Sequence, residues 1–241
     1  MIIAGCARNI SHFWESTEKS LQIIFDSLPT YKCFIIESNS EDNTLDLLQK
    51  WAAKDSRRTV VSLGRLTEPS RPRRIGICRN KYMELAKPYF SEFPHIIILD
   101  LDDALKIHSN FKEQLNSCFL RNDWDCIASN RLDKYYDIWA LRSYELGIDF
   151  DCWEMANKYG ITKLTSRGFQ KILDRKKYVD KFMINIPQNS RWILCQSAFG
   201  GMALYKTSAI KSKKYDGDNT CEHVEFNKGL RIYINPYFIS G

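Results

Sequence analysis

The sequence predicts an α/β fold with a mainly parallel central sheet flanked by helices, and three observations carry that prediction. Short apolar runs alternate with amphipathic stretches through the first half of the chain, the pattern of successive strand–helix–strand units. Pro29 and Pro88 fall just past two of the helical stretches, where proline stops a helix. The 241 residues, 44% hydrophobic and 27% charged, suit a globular core and exclude a disordered or fibrous chain.

Taken in order, residues 1–5 read as a strand, and residues 16–28 as a helix whose apolar stripe is Leu21, Ile24, Phe25 and Leu28. Residues 31–37 form the second strand. The polar turn Asn39 to Asn43 then offers N-caps for a helix that buries Leu45, Leu48, Trp51 and Ala52. Residues 59–63 are a third strand, and Arg65, Arg71, Arg73, Arg74 and Arg79 crowd a basic stretch that leads into a helix over 75–86. The β-branched run 95–99 is a central strand ending in Asp100-Leu101-Asp102-Asp103. A helix over 111–120 and a strand over 126–129 continue the alternation, which blurs from Asp133 onward. Strand-like runs return at 192–205 and 231–234, joined by a loop over 211–219.

No apolar run reaches the ~20 residues that span a bilayer, so no transmembrane segment is expected and the setting reads as cytoplasmic. Eight cysteines without a CxxC pair read as reduced, mostly packed thiols. The net charge of +6 favours anionic small partners and is too low to indicate nucleic acid.

Chemistry concentrates in a few places. Alternation along a strand puts Asp100 and Asp102 on one side of the chain, where hard carboxylate oxygens suit Mg²⁺ or Mn²⁺ together with substrate phosphates. The same residues also suit a turn and a helix N-cap. Glu37, in Glu37-Ser38-Asn39-Ser40-Glu41-Asp42-Asn43-Thr44, ends a strand where a carboxylate can accept from ribose hydroxyls, or else belongs to a capped helix start. Arg79 offers a planar fork to a diphosphate, or a solvated basic face. Gly200 and Gly201 suggest close approach of backbone to a ligand, or a bulge. His223, between carboxylates in Cys221-Glu222-His223-Val224-Glu225, is placed to have its pKa raised or its ring fixed for metal ligation.

The order of the acidic turn ESNSEDNT, Arg79-Asn80 before a helix, IIILDLDD, FGGMALYK and CEHVEFN resembles the GT-A glycosyltransferases, in particular small domains of large DNA viruses and bacteria. The resemblance implies a Rossmann-like GT-A fold in a single domain over 1–241. Its nucleotide-sugar-binding half would be residues 1–103 and its acceptor-binding half residues 104–241. It implies a nucleotide held by Ala4, Cys6, Arg8 and Glu37, and a Mn²⁺ or Mg²⁺ ion bound by Asp100 and Asp102, with Asp102 the more direct ligand. Gly200 and Gly201 would lie near the acceptor. Asp137, Trp139 and Arg142 would bind sugar or acceptor, an indole face being a platform for a sugar ring, while Trp139 also reads as an ordinary packed aromatic. His223 stands where such enzymes carry a base carboxylate, so Glu222 or His223 is the expected proton acceptor and His223 a further candidate metal ligand. The implied reaction moves a sugar from a UDP- or GDP-linked donor to a glycan, glycoprotein or other hydroxyl acceptor. Two other readings remain: a haloacid-dehalogenase-like phosphatase using Asp100 as nucleophile, and a non-enzymatic sugar- or nucleic-acid-binding module built on the arginines.

Overall fold

The expected alternation is present in the computed structural model, which describes residues 1–158, 179–218 and 220–241, as β1 (Ile2–Ala7), α1 (Trp14–Asp26), β2 (Lys32–Glu37), α2 (Thr44–Ala52), β3 (Arg58–Ser62), α3 (Arg71–Ala86) and β4 (His95–Leu101). The chain continues with α4 (Phe111–Ser117), β5 (Cys126–Asn130), α5 (Cys152–Lys158), β6 (Ile193–Cys195), β7 (Met202–Lys206), α6 (Thr207–Ile210), α7 (Glu222–Asn227) and β8 (Ile232–Ile239). These strands form one eight-stranded sheet in the order β3-β2-β1-β4-β7-β5-β8-β6. β1 to β4 are parallel. β7 runs against β4 and β5, β8 runs with β5, and β6 runs against β8. Among the described strands only β6 and β7 oppose the common direction, so the sheet is mainly parallel, as the sequence predicts.

Strand order decides which face each helix covers. From β1 the chain steps outward to β2 and β3, then crosses back over both to lay β4 on the other side of β1. Right-handed crossovers in opposite directions put their helices on opposite faces. Accordingly Leu21 and Ile24 of α1 and Leu48 and Trp51 of α2 pack with Ile3, Ile97 and Leu99. Cys78, Tyr82 and Met83 of α3 pack with Ile2, Ala4, Ile96 and Ile98 on the far side. The alternation along β4 therefore turns Asp100 toward the face that carries α3. The order reverses between β1 and β4, and in open α/β sheets ligands bind beyond the strand ends at such a point.

Several boundaries differ from the expectation: the strand read as 231–234 runs on to Ile239, and the helix read as 111–120 ends at Ser117. The helix read as 75–86 starts a turn earlier, because Ser70 accepts from Arg73 N at its N-terminus and Pro72 suits the first turn. The arginine-rich stretch is thus mostly helix. The apolar run 192–205 is split into β6 and β7 by Gly200 and Gly201, whose φ angles are 72° and 84°. The Glu222–Asn227 segment is a helix, and Asn219, last in the expected 211–219 loop, lies outside the described residues. The aromatic stretch from Asp133 is irregular, tied by isolated bridges between Arg142 and Ser197 and between Ser143 and Ile148.

The turn after β2 is a knot of hydrogen bonds that anchors the start of α2. Asp42 accepts from Thr44 N at 3.0 Å and from Ser11 N and Oγ at 3.1 and 2.7 Å. Desolvation opposes its ionisation, but the bonds from Thr44 and Ser11 outweigh it and pull the carboxyl down to about 2. A group depressed in the folded state stabilises above its unfolded pKa of ~3.9, and that stability is lost as pH falls toward about 2. We expect the urea midpoint to decline between about pH 4 and 2 in the wild type, and less steeply in Asp42→Asn. Equal slopes would show that this turn does not contribute.

Candidate active site

At the carboxyl ends of β1 and β4 lies a cavity of about 530 Å³, a size that suits a small-molecule ligand. Cys6, Ala7 and Arg8 close β1's side, Asp100 and Asp102 project from β4's end, and Arg71, Arg74 and Arg79 come from α3. Tyr136, Asp137 and Trp139 from the irregular stretch, with Phe199, Glu222 and His223, form the opposite wall. Carboxylates and guanidiniums therefore meet around one space.

Arg79 is the hub. Only 2% exposed, it donates from Nη2 to Asp100 Oδ1 at 2.8 Å, from Nε to Glu222 Oε1 at 3.1 Å and from Nη1 to Tyr82 Oη at 3.2 Å. Its guanidinium also sits over the rings of Phe199 and Tyr215, 5.1 and 5.5 Å from their centres. A buried guanidinium with this many acceptors is a strut, locking β4's end to α7. The fork read as free for a diphosphate is thus engaged within the protein.

Asp102 accepts from Ala104 N at 3.0 Å, and burial together with the nearby charge of Asp100 raises its carboxyl to about 6. Two oxygen-rich side chains that resist joint ionisation are what a hard divalent cation relieves, so Asp100 and Asp102 fit Mg²⁺ or Mn²⁺ chemically. Among the described residues no three His, Cys, Asp or Glu side chains converge as a metal cage. His223 does not join the carboxylates. It is 2% exposed, stacked on Phe199 at 3.8 Å and edge-on to Tyr215 at 5.4 Å, with both ring nitrogens unpartnered. Its pKa is not raised by its acidic neighbours: burial, assisted by Arg79, drives it well below the usual range.

Gly200 and Gly201 organise the wall between β4 and β5. Asp100 N donates to Gly201 O at 2.9 Å, and Gly200 N donates to Asp137 Oδ2 at 3.0 Å. Gly200 O accepts from Ser129 Oγ and Ser240 Oγ at 3.0 and 2.7 Å. A Cβ on Gly200 would lie 2.4 Å from Ser129 O, and one on Gly201 would lie 2.8 Å from Tyr136 Oη. Gly200→Ala should cost about 2–4 kcal/mol, the sum of a left-handed backbone and overpacking, read as a lower urea midpoint at unchanged slope. A cost below about 1 kcal/mol would mean that this turn is plastic.

The remaining candidates separate clearly. Ala4 is buried in mid-strand beneath α3, away from the cavity. Glu37 is also buried, with Oε1 accepting from Ser40 N at 3.0 Å and Oε2 from Ser62 Oγ at 2.5 Å, so its carboxylate ties the turn after β2 to the end of β3. Arg142 pairs with Asp151 at 2.6 Å and donates to Trp139 O at 3.1 Å, supporting the loop from behind. Tyr136, Phe199 and Cys78 also line the cavity; each neighbours a residue that the sequence marks, but none is itself assigned a role by it.

The sequence matches no protein-family model and no curated protein. Solved structures do resemble it. A mannosyltransferase, PcManGT from Pyrobaculum calidifontis in complex with GDP-Man and Mn²⁺, superposes with a TM-score of 0.54 at 10% identity, covering 99% of this chain and 55% of that one. TarS residues 1–349 from S. aureus gives 0.51 at 12% identity, with coverages of 97% and 57%. Its complex with UDP gives 0.50, also at 12% identity, with coverages of 97% and 56%. The chain spans little more than half the length of these structures. The architecture is the GT-A fold, a mixed α/β sheet with helices on both faces.

Proposed function

We propose that this chain is a divalent-metal-dependent glycosyltransferase acting on a nucleotide-sugar donor in the cytoplasm. The observation that carries the reading is the junction at the β1–β4 switch point, where strand-end carboxylates face the basic N-terminus of α3 across one cavity. Similar structures solved with GDP-Man and Mn²⁺, and with UDP, support it. The donor is UDP- or GDP-linked, and the acceptor is a hydroxyl of a glycan or glycoprotein.

In this reading Asp102 and Asp100 hold Mn²⁺ or Mg²⁺, which when bound supplies neutralising charge for a departing nucleoside diphosphate. The chain's own residues do the rest. Arg71 and Arg74, at the positive end of α3, draw the diphosphate toward the cavity, and Arg8 extends that basic rim. Arg79 keeps Asp100 oriented, since each carboxylate it holds is fixed by a buried guanidinium rather than by mobile water. Trp139 offers an apolar face for a sugar ring beside the Gly200-Gly201 turn.

The test is turnover of UDP-glucose, UDP-N-acetylglucosamine and GDP-mannose, followed as release of UDP or GDP with and without Mn²⁺. We expect Mn²⁺-dependent release from at least one. Release of phosphate from an aryl phosphate, with no nucleotide sugar consumed, would replace this reading by the phosphatase one.

A further inference from the structure

We propose that Asp137 is the general base of the transfer, taking the proton of the acceptor hydroxyl, and that the reaction inverts the anomeric centre. The inference rests on the glycosyltransferase reading above and adds to it the residue and the stereochemical outcome. It follows from how the cavity's proton acceptors are engaged.

Asp100 and Glu222 each have an oxygen engaged by the buried Arg79 guanidinium, at 2.8 and 3.1 Å. Glu222 is moreover only 5% exposed, and its second oxygen accepts from Cys221 Sγ at 3.6 Å. The two nitrogens of His223 are sealed between Phe199 and Tyr215 and open to no solvent. Asp102 stands with Asp100 on the wall assigned to the cation. Asp137 differs from all of these. It lines the cavity, and its hydrogen bonds come from main-chain N–H groups alone, Gly200 N at 3.0 Å and Ala140 N at 3.4 Å. Among the described residues it has no ion-pair partner.

The two-glycine turn sets its position. Gly201 O receives Asp100 N and Gly200 N binds Asp137, so one rigid peptide pair fixes the Asp137 carboxylate relative to the end of β4. A base that deprotonates the acceptor for direct attack belongs to a single displacement, which inverts the anomeric centre. Burial, with Asp100 and Glu222 adding repulsion against the opposing Gly200 bond, raises the Asp137 carboxyl above the usual carboxylate range, to about 7.

The step balances as follows. Asp137 Oδ1, held only by the longer bond from Ala140, accepts the acceptor's hydroxyl proton. The oxygen's electron pair forms the new bond to the anomeric carbon. The bond from that carbon to the diphosphate oxygen breaks, and its electron pair leaves with the nucleoside diphosphate.

The experiment uses the full chain with Mn²⁺ and the nucleotide sugar that it turns over from the panel above, with water and then sodium azide as acceptors. Asp137→Asn keeps the side-chain shape, and UDP or GDP affinity measured by calorimetry reports whether the site is intact. General-base loss should lower kcat by about 10²–10³-fold with nucleotide affinity unchanged. Azide, which needs no deprotonation, should restore turnover and give the glycosyl azide of inverted configuration. Glu222→Gln, measured alongside, should retain more activity than Asp137→Asn.

Wild-type turnover in Asp137→Asn, loss that azide does not restore, or a product of retained configuration would each overturn the assignment while leaving the glycosyltransferase reading intact. A wild-type chain that neither binds nor turns over these nucleotides would overturn both.

Discussion

Arg79→Leu lowers the stability of the fold by about 3–5 kcal/mol, the cost of leaving the buried Glu222 carboxylate without its cation. Arg79 is enclosed between β4 and α7, and Glu222 has no other cationic partner among the described residues. Glu222 must then either stay charged in a dry site or take up a proton, and both outcomes weaken the folded state. Asp100 suffers less, because its side chain is 34% exposed and water can replace part of what is lost. Adding Glu222→Leu to Arg79→Leu should therefore recover part of the loss, a non-additivity that a double-mutant cycle measures directly. Urea denaturation supplies the numbers. A single-variant loss under about 1 kcal/mol, or strict additivity, would mean that the pair is solvated and does not bind α7 to the sheet.

Asp102→Asn lowers metal-dependent turnover by about 10²–10³-fold, the several kcal/mol that charge stabilisation of a departing diphosphate is worth. The substitution preserves the bond that Ala104 N makes to the side-chain oxygen and removes the charge that Asp100 repels. Folding stability should accordingly hold or rise slightly while activity collapses. That opposite movement separates a functional carboxylate from a structural one. If Asp102→Asn turns over nucleotide sugar at the wild-type rate, the cation is held elsewhere or is not needed.

How much of this was legible beforehand depends on whether the relevant contact is local. β1, β2 and β4 declare themselves through runs such as Ile96-Ile97-Ile98-Leu99, and their parallel pairing follows from the intervening helical stripes. The placement of Asp100 and Asp102 at the mouth of the cavity follows from the end of one such run. The sequence places the start of α3 a turn late because Arg71-Pro72-Arg73-Arg74 carries loop chemistry, whereas Ser70 makes it a capped helix start.

Residue roles were harder to read. Glu37 has the type and position of a ribose ligand, yet Ser40 and Ser62 take both its oxygens. Arg79 looked free because Glu222 is 143 residues away in sequence, and no local pattern encodes that pairing. Asp137 and Gly200 are 63 residues apart, so the bond that sets Asp137 beside the turn is invisible until the sheet is assembled. His223 drew attention through its acidic neighbours, but the rings of Phe199 and Tyr215 decide its state.

The central claim, a cation-assisted diphosphate site at the β1–β4 switch point, is tested most directly by calorimetric titration of UDP and GDP into the wild-type chain and Asp102→Asn, each with and without Mn²⁺. The account predicts that at least one nucleotide binds the wild type, that Mn²⁺ tightens the binding, and that Asp102→Asn abolishes this gain. Nucleotide binding that is absent, or indifferent to both Mn²⁺ and Asp102, would contradict it.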